Sequence, residues 1–402
     1  MKYGFSLFAL FFSLCAVFPL CGNNTIETFR PDDGLPVFVV PLTAPSSSDV
    51  VAVDAVVAVD LSASQLSGLV REEARKAVGV FIAALPAGSR VQVFVASNEM
   101  TPIPSTANFA VASPELADRA IADLVKETPL GAMDLKNMIK VSREVLCALD
   151  ESNPKSIVFI GRGVSTATFF DRHEAALLTR DLVKDRITFS AFANGAVTNN
   201  NVLACLVYQT GGHIVDLRVK DGNAAGASLA ESAKAAVYWP GEESLVEEQL
   251  AARIGAESLY PKRIPPIRSD RETFLIGVGD FPPGWQIALS LPFARADGTP
   301  VSLDFDFVAD KPREENRTLV RMVHDAAKDG GIALPITNRS LLREYQAALQ
   351  NREDTVQKMG KQAAESGQHR EASVLLGTPA ATSIENKTPE QKSAPDRKQP
   401  RK

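Results

Sequence analysis

The sequence predicts an α/β chain: a doubly wound, mostly parallel sheet, with an added small antiparallel β unit and C-terminal helices. Three observations lead there. Between residues 50 and 220, short runs of Val, Ile and Ala alternate with longer stretches whose apolar residues recur at helical spacing; strands joined by crossover helices imply parallel pairing with both sheet faces covered. Between residues 263 and 310, three extended runs and a hairpin turn signal mark antiparallel pairing. After Asp310 the apolar spacing becomes helical again. With 402 residues and 45% hydrophobic content, the chain can bury a large core.

Lys2 precedes an apolar run from Phe5 to Leu20, closed by Pro19 and Gly22. It is too short to span a bilayer comfortably, so residues 1–22 read as an export signal, with retention as an anchor as the alternative. Leu20 is too bulky to precede a lipid-attachment cysteine at Cys21. Residues 23–49 hold one extended run, Val37 to Leu42, free to return and join the β unit.

Val50 to Asp60 is a Val- and Ala-rich strand of the kind buried on both faces. Leu66, Val70, Ala74, Val78, Phe81, Ile82 and Leu85 then mark an amphipathic helix, stopped by Pro86-Ala87-Gly88. Val91, Val93 and Val95 alternate as a strand. Ser113-Pro114-Glu115 opens a helix with a capping serine and a proline at its first position. The alternation continues with a helix over Leu135 to Leu149, a strand over Ser156 to Ile160, a helix over Ala175 to Val183 and a strand over Ile187 to Phe192. A short helix at Asn201 to Tyr208 and a strand at His213 to Leu217 complete the unit. Ligands of such sheets sit at the carboxyl ends of the strands.

Residues 221–262 read as a linker with a helix, stiffened at its end by Pro261, with Pro265 and Pro266 following. Residues 263–310 read as a small sandwich-like unit of Thr273 to Val278, Gln286 to Leu291 and Val301 to Val308, turning at Ala296-Asp297-Gly298-Thr299. Asp304 and Asp306 alternate with Leu303, Phe305 and Phe307, so they form the wet face of a half-buried strand rather than an acid/base pair. Residues 311–368 are a helical region. Residues 369–402, rich in proline, lysine and polar residues without apolar period, are expected to be a disordered basic tail.

Three segments carry a resemblance. Asp60-Leu61-Ser62-Ala63-Ser64 ends the first strand, Pro129-Leu130-Gly131-Ala132-Met133-Asp134-Leu135 opens a later helix, and Phe159-Ile160-Gly161-Arg162-Gly163 ends a later strand. In this order and spacing they resemble a von Willebrand factor A domain, over residues 50–220. The resemblance implies a Mg²⁺ or Mn²⁺ site built on Asp60, Ser62, Ser64 and Asp134, since a hard cation takes oxygen ligands. Two positions depart from it: Met133 stands where a threonine is usual, and Arg162 where an aspartate is usual. A thioether is a poor ligand for Mg²⁺, and a guanidinium repels it. The metal site is therefore expected to be incomplete, with no cofactor expected and Mg²⁺ the ion it would otherwise take. Arg162 is expected to fill the cation's place and pair with Asp60 or Asp134. The residues alone also allow Ser62 and Ser64 to cap a helix beginning near Gln65, with Asp60 bonding loop amides. Thr128, Thr166, Thr168 and Asp171 are further oxygens near the same edge.

The formal net charge of -5 gives no electrostatic case for nucleic acid or an anionic membrane. Beyond the export signal, Cys147 and Cys205 lie in helical apolar patterns and read as two buried thiols, a single bridge being the alternative. The four histidines show no zinc-binding spacing. Gly161-Arg162-Gly163 lacks the third glycine of a dinucleotide loop, and Ser165 lacks the closing glycine and partner histidine of a nucleophile elbow. The function expected is thus noncatalytic: an exported protein-binding module for adhesion or assembly, in the cell envelope or outside it. Its partner is an unknown protein, its mature chain has no membrane span, and its oligomeric state is open. The alternative is an accessory or chaperone-like subunit of an exported enzyme or envelope complex.

Overall fold

A computed structural model describes residues 24–46, 51–150, 153–215, 219–241, 247–334, 339–368 and 372. The segment read as an export signal, and all of the tail 369–402 except Ala372, lie outside these described residues. The chain divides into two units, Met1–Gln346 and Ala347–Lys402. No helix among the described residues is long and apolar enough to cross a membrane.

The chain opens with β1 (Asn24–Phe29) and β2 (Val37–Thr43). The α/β layer follows as β3 (Asp54–Asp60), α1 (Gly68–Ala84), β4 (Arg90–Ala96), β5 (Met100–Pro102), β6 (Ala110–Val111), α2 (Pro114–Lys126), α3 (Leu135–Cys147), β7 (Lys155–Gly161), α4 (Arg172–Lys184), β8 (Ile187–Ala193), α5 (Asn200–Gln209) and α6 (Gly222–Ala233). Its sheet runs β5-β4-β3-β7-β8, with β6 beside β4. β3 pairs parallel with both β4 and β7, β7 pairs parallel with β8, and only the short edge strands run antiparallel. Every residue of β3 is buried, as a central strand demands. One face is covered by α1, α2 and α6, the other by α3, α4 and α5. At the amino end of the sheet, buried Asp54 receives both Arg90 Nε at 2.7 Å and Nη2 at 2.6 Å, a two-pronged bond that ties β3 to β4. The strand expected at His213 to Leu217 is reduced here to a parallel bridge between Ala191 and Ile214; residues 216–218 lie outside the described set.

The stretch expected to be a linker is instead part of the core. α6 lies on α1 so closely that a Cβ on Gly222 or Gly226 would collide with the carbonyl of Glu73 or Ala77, and Ala225, Leu229 and Ala230 are buried there. Its small residues look like linker composition because they are what lets two helix backbones approach.

The rest of the first unit comprises β9 (Val237–Pro240), α7 (Glu247–Ile254), β10 (Ser258–Tyr260), β11 (Ile267–Arg268), β12 (Glu272–Val278), β13 (Gln286–Ala294), β14 (Pro300–Ala309) and α8 (Thr318–Asp329), after which α9 (Arg339–Glu365) runs on into the second unit. Its strands form a single mixed sheet, β10-β12-β2-β1-β14-β13-β9-β11, rather than the small separate unit expected at 263–310. The N-terminal strands β1 and β2 occupy its centre: β2 pairs with β12 from Thr43↔Glu272 to Val37↔Val278, and β1 pairs parallel with β14. These pairings join residues more than two hundred apart, which local periodicity cannot show. Leu303, Phe305 and Phe307 point to the core with Ile26, Phe38 and Leu42, under Leu250 and Ile254 of α7, while Asp304 is exposed.

Cys147 and Cys205 are unbridged, and Cys147 is exposed rather than buried as expected. It lies at the carboxyl end of α3, where its thiol donates to Asp185 Oδ2 at 3.3 Å, and partial desolvation, then that carboxylate, hold the thiol above its usual range.

The two layers meet at Gly211-Gly212-His213. Arg268, 2% exposed, donates to Gly211 O at 3.0 Å and Ser232 O at 2.6 Å while gripping Asp270 through Nε and Nη2; Arg271 donates to Gly212 O. The His213 ring meets Ser228 Oγ at 2.9 Å. Burial, then Arg271 and Arg268, lowers its pKa to about 4 from 6.5. Between these values the unfolded chain binds a proton that the folded chain refuses, so stability falls as pH drops from 6.5 toward 4. Urea denaturation should find the protein about 2 kcal/mol less stable at pH 5 than at pH 7 from this group, and His213→Gln should remove that share of the slope.

Candidate functional site

The chain leaves β3 for β4 on one side and later returns to β7 on the other, which opens a crevice between the carboxyl ends of β3 and β7. In doubly wound sheets this switch point is where ligands bind. Asp60 ends β3 and Gly161 ends β7 there, so close that a Cβ on Gly161 would strike Asp60.

Asp60 is 3% exposed, and its carboxylate is satisfied by amides. Oδ1 accepts the Ser62 N–H at 3.0 Å; Oδ2 accepts Gln65 Nε2 at 3.3 Å and, at a long 3.5 Å, the Arg162 N–H. Gln65, itself buried, also donates to Asn194 O at 3.1 Å beyond the end of β8. The Ser62 and Ser64 hydroxyls bond each other at 2.7 Å. Neither caps a helix: the turn Ala63–Gln65 that follows Ser62 and the start of α1 after Ser67 both lack a side-chain cap.

The second segment is zipped to the first, Leu130 N–H to Leu61 O at 3.0 Å and Ala63 N–H to Gly131 O at 2.9 Å. Gly131 has φ +74, and a side chain there would meet Asn98. Asp134 caps α3: its Oδ1 accepts the Asn137 N–H at 3.0 Å and the Thr168 hydroxyl at 2.9 Å. Met133 points away from the edge, fully buried with Leu135, Met138 and Phe159. Its backbone is held by the β7–α4 loop, its N–H donating to Thr166 Oγ1 at 2.9 Å and its carbonyl accepting from Thr166 at 2.8 Å and Ala167 at 3.0 Å. Ser165 is spent likewise, its Oγ accepting the Leu135 N–H at 3.3 Å.

Arg162 does not pair with Asp60 or Asp134, contrary to expectation: no ion pair joins it to either, and among the described residues its Nε is buried without an acceptor. The reason is local. Amides already hold Asp60, and the bare α-carbon of Gly195 leaves a slot into which the Arg162 stem turns, so that a Cβ at Gly195 would overlap Arg162 Cγ and Cδ.

Mg²⁺ requires about six oxygens in near-octahedral array. Here the Asp60 oxygens face amides, the serine hydroxyls face each other, Asp134 is spent on a helix cap, a buried thioether replaces the second segment's oxygen and a cation stands at the third. Each of these oxygens is engaged with a protein donor.

The edge has one further property, which spacing alone does not reveal. Phe169 is 84% exposed and Leu66, Leu69, Leu130 and Val197 are 67–69% exposed. They fall on the loops after β3, before α3, after β7 and after β8 or in the first turn of α1, all at the carboxyl end of the sheet.

Solved structures similar to the chain include a von Willebrand factor type A protein from Catenulispora acidiphila, at 12% identity, covering 88% of this chain and 82% of that one with a TM-score of 0.47. The ArnB paralog VWA2 from Sulfolobus acidocaldarius is similar at 14% identity over 88% and 87%, TM-score 0.42. Proximal thread matrix protein 1 from the mussel byssus, with a zinc-occupied MIDAS motif, is similar at 14% identity over 46% and 49%, TM-score 0.36. No protein-family model and no curated protein matches the chain. What decides the fold is the sheet order with all three motif segments at its switch point. The α/β layer has a von Willebrand factor A-type fold.

Within this A-type layer, Gln65 and Asn194 are the residues that sequence reasoning missed. Gln65 follows the Asp60-to-Ser64 motif directly and was legible as a neutral donor beside an acid; Asn194 has only its place after a strand to signal it. Replacing Gln65 with Ala removes a donor from a buried carboxylate and should cost about 1–3 kcal/mol in urea denaturation, whereas exposed Ser64→Ala should cost less than about 0.5 kcal/mol.

Proposed function

We propose that the carboxyl edge of the A-type layer is a noncatalytic protein-docking surface, working without a bound metal in adhesion or assembly. The observation that carries this is the set of exposed apolar side chains on that edge, Leu66, Leu69, Leu130, Phe169 and Val197. A folded protein keeps large apolar side chains in water at one place at a cost, and such clusters serve recognition. The amide-held carboxylate beneath them supports a metal-independent contact, since the loops are closed by hydrogen bonds that need no ion. Ser165, the nucleophile candidate, holds the α3 entry instead. The apolar run after Lys2 supports export, and with it a partner in the envelope or outside the cell.

The test is capture of native partners by the immobilised chain. Leu69→Asp with Phe169→Asp should weaken capture about tenfold or more with the melting temperature unchanged, and EDTA should leave the wild-type complex intact. Release by EDTA would make the contact metal-dependent, and undiminished capture by the double variant would move the docking surface elsewhere.

A further inference from the structure

We propose that the α/β layer and the mixed sheet meet at a joint that acid opens: protonation of His213 parts the two at Gly211-Gly212-His213 while the core of each stays folded. The cores are separate. Among the described residues, none from β3 to α6 enters the apolar cluster of the mixed sheet, and of those after α6 only half-buried Ile332 packs against a cluster of the α/β layer. What joins the layers is polar. Arg268 reaches Gly211 O and Ser232 O, Arg271 reaches Gly212 O, Arg186 Nε reaches Ala296 O at 3.0 Å and Gln209 Nε2 reaches Ile332 O at 3.2 Å. Each of these carbonyls can take water in place of the side chain, so parting them costs less than unravelling either core. The Arg268–Asp270 pair survives the parting, because both residues stand on the mixed-sheet side.

His213 is the group of this joint that changes charge in mild acid. Its ring, largely buried, meets Ser228 Oγ of α6, and β8 faces it with Ser190, whose Oγ accepts the His213 N–H at 3.0 Å. The turn from β11 to β12 faces it with Arg271, Arg268 and Asp270, while Tyr208 of α5 lies beside Arg271. Asp270 stays a carboxylate: burial raises it, but Arg268 and then Arg271 hold it below its usual range. Burial and Arg268 lower Arg271 to about 9, so it stays a cation. Two guanidiniums thus face one carboxylate that Arg268 already grips, and a proton on His213 adds like charge to a region with positive excess. Once the layers part, the ring meets water and regains a pKa near 6.5, against about 4 in the closed joint. The closed form therefore keeps its full advantage above pH 6.5 and loses it as pH falls toward 4, and between pH 7 and pH 5 the opening equilibrium shifts about twentyfold.

The experiment follows the reaction of buried thiols with 4,4′-dithiodipyridine in the full chain carrying Ser232→Cys, at pH 7 and pH 5. Each rate is divided by that of the unfolded chain at the same pH, so thiol ionisation cancels. Position 232 is buried against the joint, and native Cys205, buried in the α/β core, reports global unfolding. The introduced thiol should react about tenfold or more faster than Cys205 at both pH values, and its relative rate should rise about twentyfold from pH 7 to pH 5. His213→Gln should abolish that rise. Arg271→Met leaves the ring in place and removes its stronger cationic neighbour, so it should cut the rise severalfold and reports even if His213→Gln fails to fold. Equal rates at the two thiols would show that the layers part only when the whole chain unfolds, and would overturn the joint. A faster introduced thiol whose rate ignores pH, or a rise that both variants leave intact, would overturn the role of His213.

Discussion

A carboxylate shut between two parallel strands must be given hydrogen bonds, and the arrangement of the whole carboxyl edge depends on how Asp60 receives them. Burying an ionised carboxylate without partners costs many kcal/mol, and here the partners are neutral: the Ser62 amide on one oxygen, the Gln65 side chain on the other, with the Arg162 backbone behind. Because Gln65 also reaches Asn194, one side chain links the ends of β3 and β8, while Gly161, without a Cβ, lets β7 close in. Hydrogen bonds between protein groups join these loops. Once amides satisfy Asp60, the Arg162 guanidinium has no acid to meet and turns along Gly195 instead.

The second segment follows the same logic. Asp134 is committed to the first turn of α3 and the Thr168 hydroxyl, and Met133 serves as core. Met133 therefore has a structural use of its own, and the edge is a hydrogen-bonded platform rimmed with apolar side chains. The far side of the layer is bound to the mixed sheet by Arg268, whose donors reach two backbone carbonyls and Asp270 together. A buried arginine with that many partners is costly to break.

Much of the α/β layer was legible because its elements are local. A strand buried on both faces is written as a Val- and Ala-rich run, as in β3; an amphipathic helix as a 3.6-residue stripe, as in α1; and a helix start as Ser113-Pro114, where the serine does accept the Leu116 N–H. The convergence of the three motif segments was legible too, since strand order places their ends together. Less was legible beyond residue 220. α6 hid behind its glycines and alanines, and the central place of β1 and β2 in the mixed sheet rests on pairing with β14 and β12, partners that no window of neighbouring residues contains.

The sequence by itself therefore determined the fold class and the address of the candidate site, because periodicity and strand ends are properties of short segments. Tertiary structure alone decided the rest: that the side chain of Gln65 rather than that of Arg162 meets Asp60, that Met133 faces the core, that the N-terminal strands sit mid-sheet, and that five apolar side chains stand exposed on the loops and first helical turn at the carboxyl end of the sheet. Which donor reaches a buried acid depends on the space each side chain finds, here a slot over Gly195 for the arginine and the gap between β3 and β8 for the glutamine, and such space exists only when distant segments have packed.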